Sequence, residues 1–164
     1  MKKYFYWLAM MIVSAVALPA CSDDDDAPED PNGTIDKNAV IGIWDPVSCI
    51  EVEKVNGVVV DESEEGVEYV YSFEFFSDGT YSAYDNLSYG LEDLEYTAES
   101  GEYYISGNKL TLKQIWEDGN SETFEYKIVS LTSDKAVLYY YETNEYQSDV
   151  YEWETTTTYK KRSK

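Results

Sequence analysis

At 164 residues, with 33 acidic and 12 basic side chains, the chain carries a formal charge of −21, and it contains two cysteines and no histidine. That acidic balance presents no cationic face to a phosphate backbone, which sets nucleic acid aside as a partner. The missing histidine removes Ser-His-Asp and Cys-His catalysis, together with every histidine-bearing metal site.

The first predicted element is a secretion signal over residues 1–20, with Lys2 and Lys3 as its positive start and Trp7 to Leu18 as its apolar run. The run is too short to span a bilayer, which needs roughly 20 apolar residues. It ends in Leu18-Pro19-Ala20-Cys21, which resembles a bacterial lipobox. The resemblance implies cleavage after Ala20, a diacylglycerol thioether on Cys21 and acylation of the new amino terminus. Each buried methylene adds about 0.8 kcal/mol of membrane affinity, so several chains on Cys21 make a durable anchor.

Residues 21–38 follow as an acidic tether. Their "SDDDDAPEDPNG" composition disfavours packing, and its like charges extend the chain. The segment "SDDDD" also resembles the acidic export tag of outer-membrane lipoproteins displayed outward. The expected location is therefore the outer membrane, lipid-anchored and facing the cell exterior, with the periplasmic face as the alternative.

Without the signal, ten basic residues face 33 acidic ones, a formal charge of −23. With Cys21 lipidated, Cys49 is left alone, so neither an intrachain disulfide nor a thiolate metal cage can form. Its setting, "PVSCIEV", reads as a strand in which Cys49 is a small core or face residue rather than a nucleophile. The remaining length suits one domain with one core, over residues 39–160. Residues 161–164 form a basic tail, and "YKKRSK" reads as a frayed, solubilising terminus.

From Val40 onward the chain is a succession of short, alternating, β-forming runs separated by turn residues. Strands are predicted over 42–52, 55–60, 68–76, 80–86, 95–106, 109–116, 122–131, 135–142 and 148–159, with turn signals at Asn56-Gly57, Ser77-Asp78-Gly79, Gly107-Asn108 and Asp118-Gly119-Asn120. Tyr69, Tyr71, Phe73 and Phe75 share one face of their strand, Phe124, Tyr126 and Ile128 another, and Tyr151 and Trp153 a third. In Ala136–Glu142 both faces are apolar, and its inner side stays unassigned. Consecutive hairpins of this kind solve the exposed-edge problem by closing into an all-β, up-and-down antiparallel barrel of about eight strands, with a sandwich as the alternative.

"IGIWDPVS", with Gly42 and Trp44 on the first strand, is similar to the Gly-x-Trp start of lipocalins. "YSFEFFSDGTY", "GEYYISGNKLTL" and "YKIVSLTSDKAVL" resemble the successive hairpins of bacterial lipocalin-like domain lipoproteins, and the likeness runs from about Ile41 to Tyr159. The resemblance implies a barrel that carries a small hydrophobic molecule in its mouth. It also implies a structural Trp44 packed under the barrel floor against a late basic residue, Lys160 or Arg162, by cation–π attraction. The lipocalin disulfide and an evident C-terminal helix are missing here.

The leading functional expectation is a non-catalytic binding module for a small hydrophobic or amphipathic ligand, with Tyr71, Phe73, Phe75, Tyr81, Tyr103, Tyr126 and Trp153 lining the pocket. These rings could equally fill the barrel. The chain would then be a surface protein- or glycan-interaction domain contacting its partner through Trp116 and Tyr139–Tyr141. The carboxylate runs at Glu64-Glu65 and Glu92-Asp93-x-Glu95 sit in acidic loops without the burial that general acid chemistry needs. No stretch has calcium-loop spacing, and neither a cofactor nor a metal is expected.

Overall fold

The computed structural model describes residues 35–86, 97–116 and 118–163, so the signal, Cys21, most of the tether and the carboxylates of residues 92–95 lie outside the described residues. A 3-10 turn at Lys37–Val40 precedes nine strands: β1 Gly42–Val55, β2 Val58–Glu65, β3 Ser72–Phe75, β4 Thr80–Tyr84, β5 Thr97–Ser106, β6 Lys109–Ile115, β7 Ser121–Leu131, β8 Lys135–Tyr146 and β9 Asp149–Lys161. All pairings are antiparallel, and β1 pairs with β9 as well as with β2 and β3. The eight strands β1 and β3 to β9 close into a barrel, with β2 attached outside the ring. The expected all-β barrel is the one the chain adopts.

Alternation places the rings as a pleated strand requires. Trp44, Phe73, Phe75, Tyr81, Tyr103, Ile105, Leu110, Leu112, Ile128, Leu138 and Tyr159 form one buried cluster. Phe75 and Tyr103 meet edge to face at 5.0 Å between centroids, and Phe73 lies 5.8 Å from Tyr159. At that depth an eight-stranded barrel is just wide enough for its own side chains. The free space among Trp44, Phe75, Leu110 and Leu138 is about 20 Å³, close to the room for one water.

The ambiguous run in β8 now has a direction. Ala136 and Leu138 are buried, Tyr140 continues on the same inward side, and Tyr141 points out, donating its hydroxyl to Glu152 at 2.9 Å. The predicted strand 68–76 is shorter than expected. Val67–Tyr69 forms a 3-10 turn and only Ser72–Phe75 is strand, because β1 has already given its edge to β2 up to Glu65.

The closed end is locked by the segments that enter and leave the barrel. The Trp44 indole N–H donates to the Val40 carbonyl at 2.6 Å, while the Lys161 ammonium stands 5.1 Å from the Trp44 ring centre and donates to the Ala39 carbonyl at 3.1 Å. The cation on Trp44 is therefore Lys161, and neither Lys160 nor Arg162. Strand parity decides this, since Lys161 pairs with Trp44 in the ladder and shares its face. Arg162 instead grips Asp45 with two bonds of 2.7 and 2.9 Å, and the Ser72 hydroxyl donates to the same carboxylate at 2.9 Å. The start of the basic tail is thus bound to the barrel wall rather than frayed.

Two substitutions test this packing. A Cβ on Gly101 would fall 1.9 Å from the Lys113 carbonyl oxygen, so Gly101→Ala must push β5 off β6 and is expected to cost about 1–3 kcal/mol in urea denaturation. Arg162→Ala, which removes the charged two-bond grip on Asp45, is expected to cost about 1.5–3 kcal/mol in the same measurement. An unchanged midpoint in the second case would return residue 162 to the status of a loose tail.

Candidate functional site

The barrel does not stay closed along its whole height. Strand β1 pairs with β3 only through Gly42–Trp44, bulges at Val47, and from Cys49 onward pairs with β2 instead. On the opposite side, β7 pairs with β8 through Lys127–Leu131 only, while Ser121–Tyr126 continue alone with β6. A bulge bends the strand that carries it. The upper wall therefore parts into a β4–β7 side and a longer β8–β9–β1–β2 side.

Between the two sides opens a cavity of about 390 Å³. Phe73, Leu138 and Tyr159 form its floor, continuous with the filled core. Tyr69, Val70 and Tyr71 enter from the 3-10 turn and the segment after it, and Tyr126 and Tyr140 face each other across the β7–β8 gap at 5.2 Å between centroids. The long side contributes Cys49, Thr155, Thr157, Glu51 and Glu65.

Of the seven residues expected to line a pocket, Tyr71, Phe73 and Tyr126 do so. Phe75, Tyr81 and Tyr103 are packed in the core below. Their strands cross the narrow part of the barrel, where side chains consume the width, and strand alternation carries no information on depth along the axis. Trp153 shares the inward parity of Thr155 and Thr157 but stands beyond the rim, stacked on Tyr151 at 6.2 Å and 16°. Sequence reasoning missed Tyr140, Leu138, Thr155 and Thr157. The threonine run held a usable signal, because β9 is long and alternate members of Thr155–Thr158 must face inward.

The electrostatics of the cavity are one-sided. Among the described residues, no basic side chain lines it. Burial, then the neighbouring Glu65, Glu53 and Asp61, raise the Glu51 carboxyl above its usual range. Burial also raises Glu99, and Glu122 pushes it further in the same direction, while the Tyr71 hydroxyl, donating to its carboxylate, partly offsets them. Burial lifts the Cys49 thiol, keeping it protonated and weakly nucleophilic, as its strand setting suggested. Tyr126 and Tyr159 are held neutral far above neutral pH by burial. No set of three metal-binding side chains comes together among the described residues.

Because the folded chain holds the Glu99 proton more tightly than the unfolded chain, ionised Glu99 costs stability as pH rises above 4.5 through its raised value, and costs nothing below both values. Glu99→Gln keeps an acceptor for Tyr71 and removes the charge. The variant is expected to melt higher than the parent at about pH 7 and to match it at about pH 3.5. Equal melting temperatures at both pH values would show that Glu99 is not desolvated.

The lipocalin-like domain model matches residues 40–138 of the chain. No curated protein matches it. Among solved structures, a lipocalin-like protein from Bacteroides uniformis ATCC 8492 superposes with a TM-score of 0.45 at 16% identity, covering 76% of this chain and 99% of that one. The matched segment takes in the Trp44 strand, the hairpins of β3 to β7 and the first third of β8, and on that match this chain belongs to the lipocalin-like domain family.

Proposed function

We propose that the chain is a binding module, tethered to the outer membrane through a lipidated Cys21 and facing outward, which holds a small hydrophobic or amphipathic molecule at the barrel mouth. A lipocalin-like barrel supports binding in general, and the family is typically non-catalytic. The observation that carries the finer reading is the cavity of about 390 Å³. Its size falls within the range of small-molecule sites, and it joins an apolar floor to a few hydroxyl groups. Tyrosine suits such a wall, since its ring offers apolar area and its hydroxyl orients a polar group.

The tether explains why a soluble barrel would stay near the membrane. Between Cys21 and the first described residue, Ile35, the sequence is acidic and contains Pro and Gly. A carrier on such a tether would meet molecules arriving at the surface without being lost to the medium. A surface-contact role through outward Tyr141 and Trp116 is the competing reading, since both are well exposed.

Two measurements separate these. The uncharged, environment-sensitive dye Nile red is expected to bind saturably to the purified domain. Thr155→Trp, which fills the cavity from β9, is expected to lower that binding at least about tenfold with little change in stability. Binding that survives Thr155→Trp and falls with Tyr141→Ala would favour the outer surface. For the anchor, intact-mass analysis of membrane-extracted protein is expected to show a triacylated chain beginning at Cys21, and Cys21→Ser is expected to release the protein from the membrane fraction.

A further inference from the structure

We infer that the ligand class of this mouth is an organic cation: an ammonium group on an apolar body, with the cation held by carboxylates and the body laid against the tyrosines. The inference rests on the cavity being a ligand site, as proposed above, and narrows what enters it.

Cross-strand partners in a ladder project to the same face. Glu51 pairs with Thr155, Cys49 with Glu65, Glu53 with Asp61, and Glu53 and Glu142 both with Trp153, so five carboxylates share the inner face of the β8–β9–β1–β2 side. Opposite them, Glu99 acts on the phenols of Tyr71, Tyr81 and Tyr126, and Glu122 acts on Glu99 and on Tyr140. Both lips of the mouth are thus acidic, with aromatic rings between them.

Cations that could neutralise this ring are engaged elsewhere. Lys54 projects to the outer face and bonds Glu154, Lys161 sits on Trp44 at the closed end, and Arg162 grips Asp45. Burial first, and then repulsion from the carboxylates gathered beside them, make Glu51 and Glu99 hold their protons above the ordinary range. A cationic guest would relieve that repulsion, and an anionic one would add to it.

A second observation is independent of the carboxylates. The Tyr81 hydroxyl is the one buried side-chain polar atom among the described residues that lacks a hydrogen-bond partner, and its residue is 1% exposed. It lies within electrostatic reach of Glu99 and of the cavity-lining Tyr126. An unsatisfied buried polar group is costly, and this one belongs to the aromatic core whose Phe73, 6.4 Å from Tyr81 between ring centroids, also floors the cavity. The rings complete the match, because tyrosine and tryptophan faces attract ammonium groups. Tyr140 faces the cavity, and Trp153 stands in ladder register between Glu53 and Glu142.

Three probes with one eight-carbon chain test the claim by calorimetry at neutral pH: octylammonium, octanol and octanoate. Octylammonium is expected to bind about tenfold tighter than octanol, octanoate more weakly than either, and the preference to shrink between low and high salt. Glu51→Gln with Glu65→Gln is expected to bring octylammonium down to the affinity of octanol while leaving octanol unchanged. Glu62→Gln with Glu64→Gln, the same charge change on the outward face of β2, is expected to alter neither. Equal binding of all three probes, or equal losses from the inner and outer pairs, would overturn the inference while leaving the pocket in place. If no probe binds while Nile red still does, the inference also falls alone; if Nile red fails as well, the pocket reading falls with it.

Discussion

Strand β1 keeps β9 along one edge from Trp44 to Val55 but cannot keep one neighbour along the other, and the rest of the molecule follows from that constraint. Pro46 has no N–H to give a ladder, Val47 bulges out of register with β9, and the strand leaves β3 for β2 between Trp44 and Cys49. Below the switch, eight strands close tightly enough for Phe73, Phe75, Tyr81 and Tyr103 to fill the interior. Above it the wall parts, and the gap becomes the cavity. A barrel without the switch would be packed by its own aromatic side chains from end to end.

The switch also creates the long side of the mouth. Freed from the ring, β1 and β2 continue to a hairpin at Asn56-Gly57, and β8 and β9 continue to a second at Gln147-Ser148. Asn56 joins the two tips, donating to Asp149 at 2.8 Å and accepting from the Val150 N–H at 2.9 Å. This four-stranded flap is one continuous sheet with the barrel, so it holds its inner carboxylates and Trp153 in place. Charge is sorted along the axis: Lys161 and Arg162 secure the closed end, and acid lines the open one.

Much of the fold was legible in the sequence. Asn56-Gly57 and Gly79 adopt the positive φ that their residue types favour, and the alternating rings of Phe73, Phe75 and Tyr126 all turn inward as their parity requires. The second hairpin was harder to see. Gln147 and Ser148 take φ of 52° and 77° without the usual Asn or Gly, so β8 runs to Tyr146 where the sequence suggested an end at residue 142. Part of the site was hidden for a different reason. Parity distinguishes inside from outside, but whether an inward ring joins the core or lines a cavity depends on where strands stop pairing, as Tyr103 and Tyr140 illustrate. The acidic lips were hidden in the same way, since Glu51, Glu99 and Glu142 are far apart in sequence and resemble the many acids that face solvent.

The most direct test of this account is an isotope-filtered NMR experiment that records contacts between labelled protein and the octyl chain of a bound probe. The account predicts that the chain's signals cross-relax with Tyr71, Tyr126, Leu138 and Tyr140. Contacts confined to the outward side chains of Tyr141, Trp116 and Val59 would place the guest on the outside of the wall and contradict it.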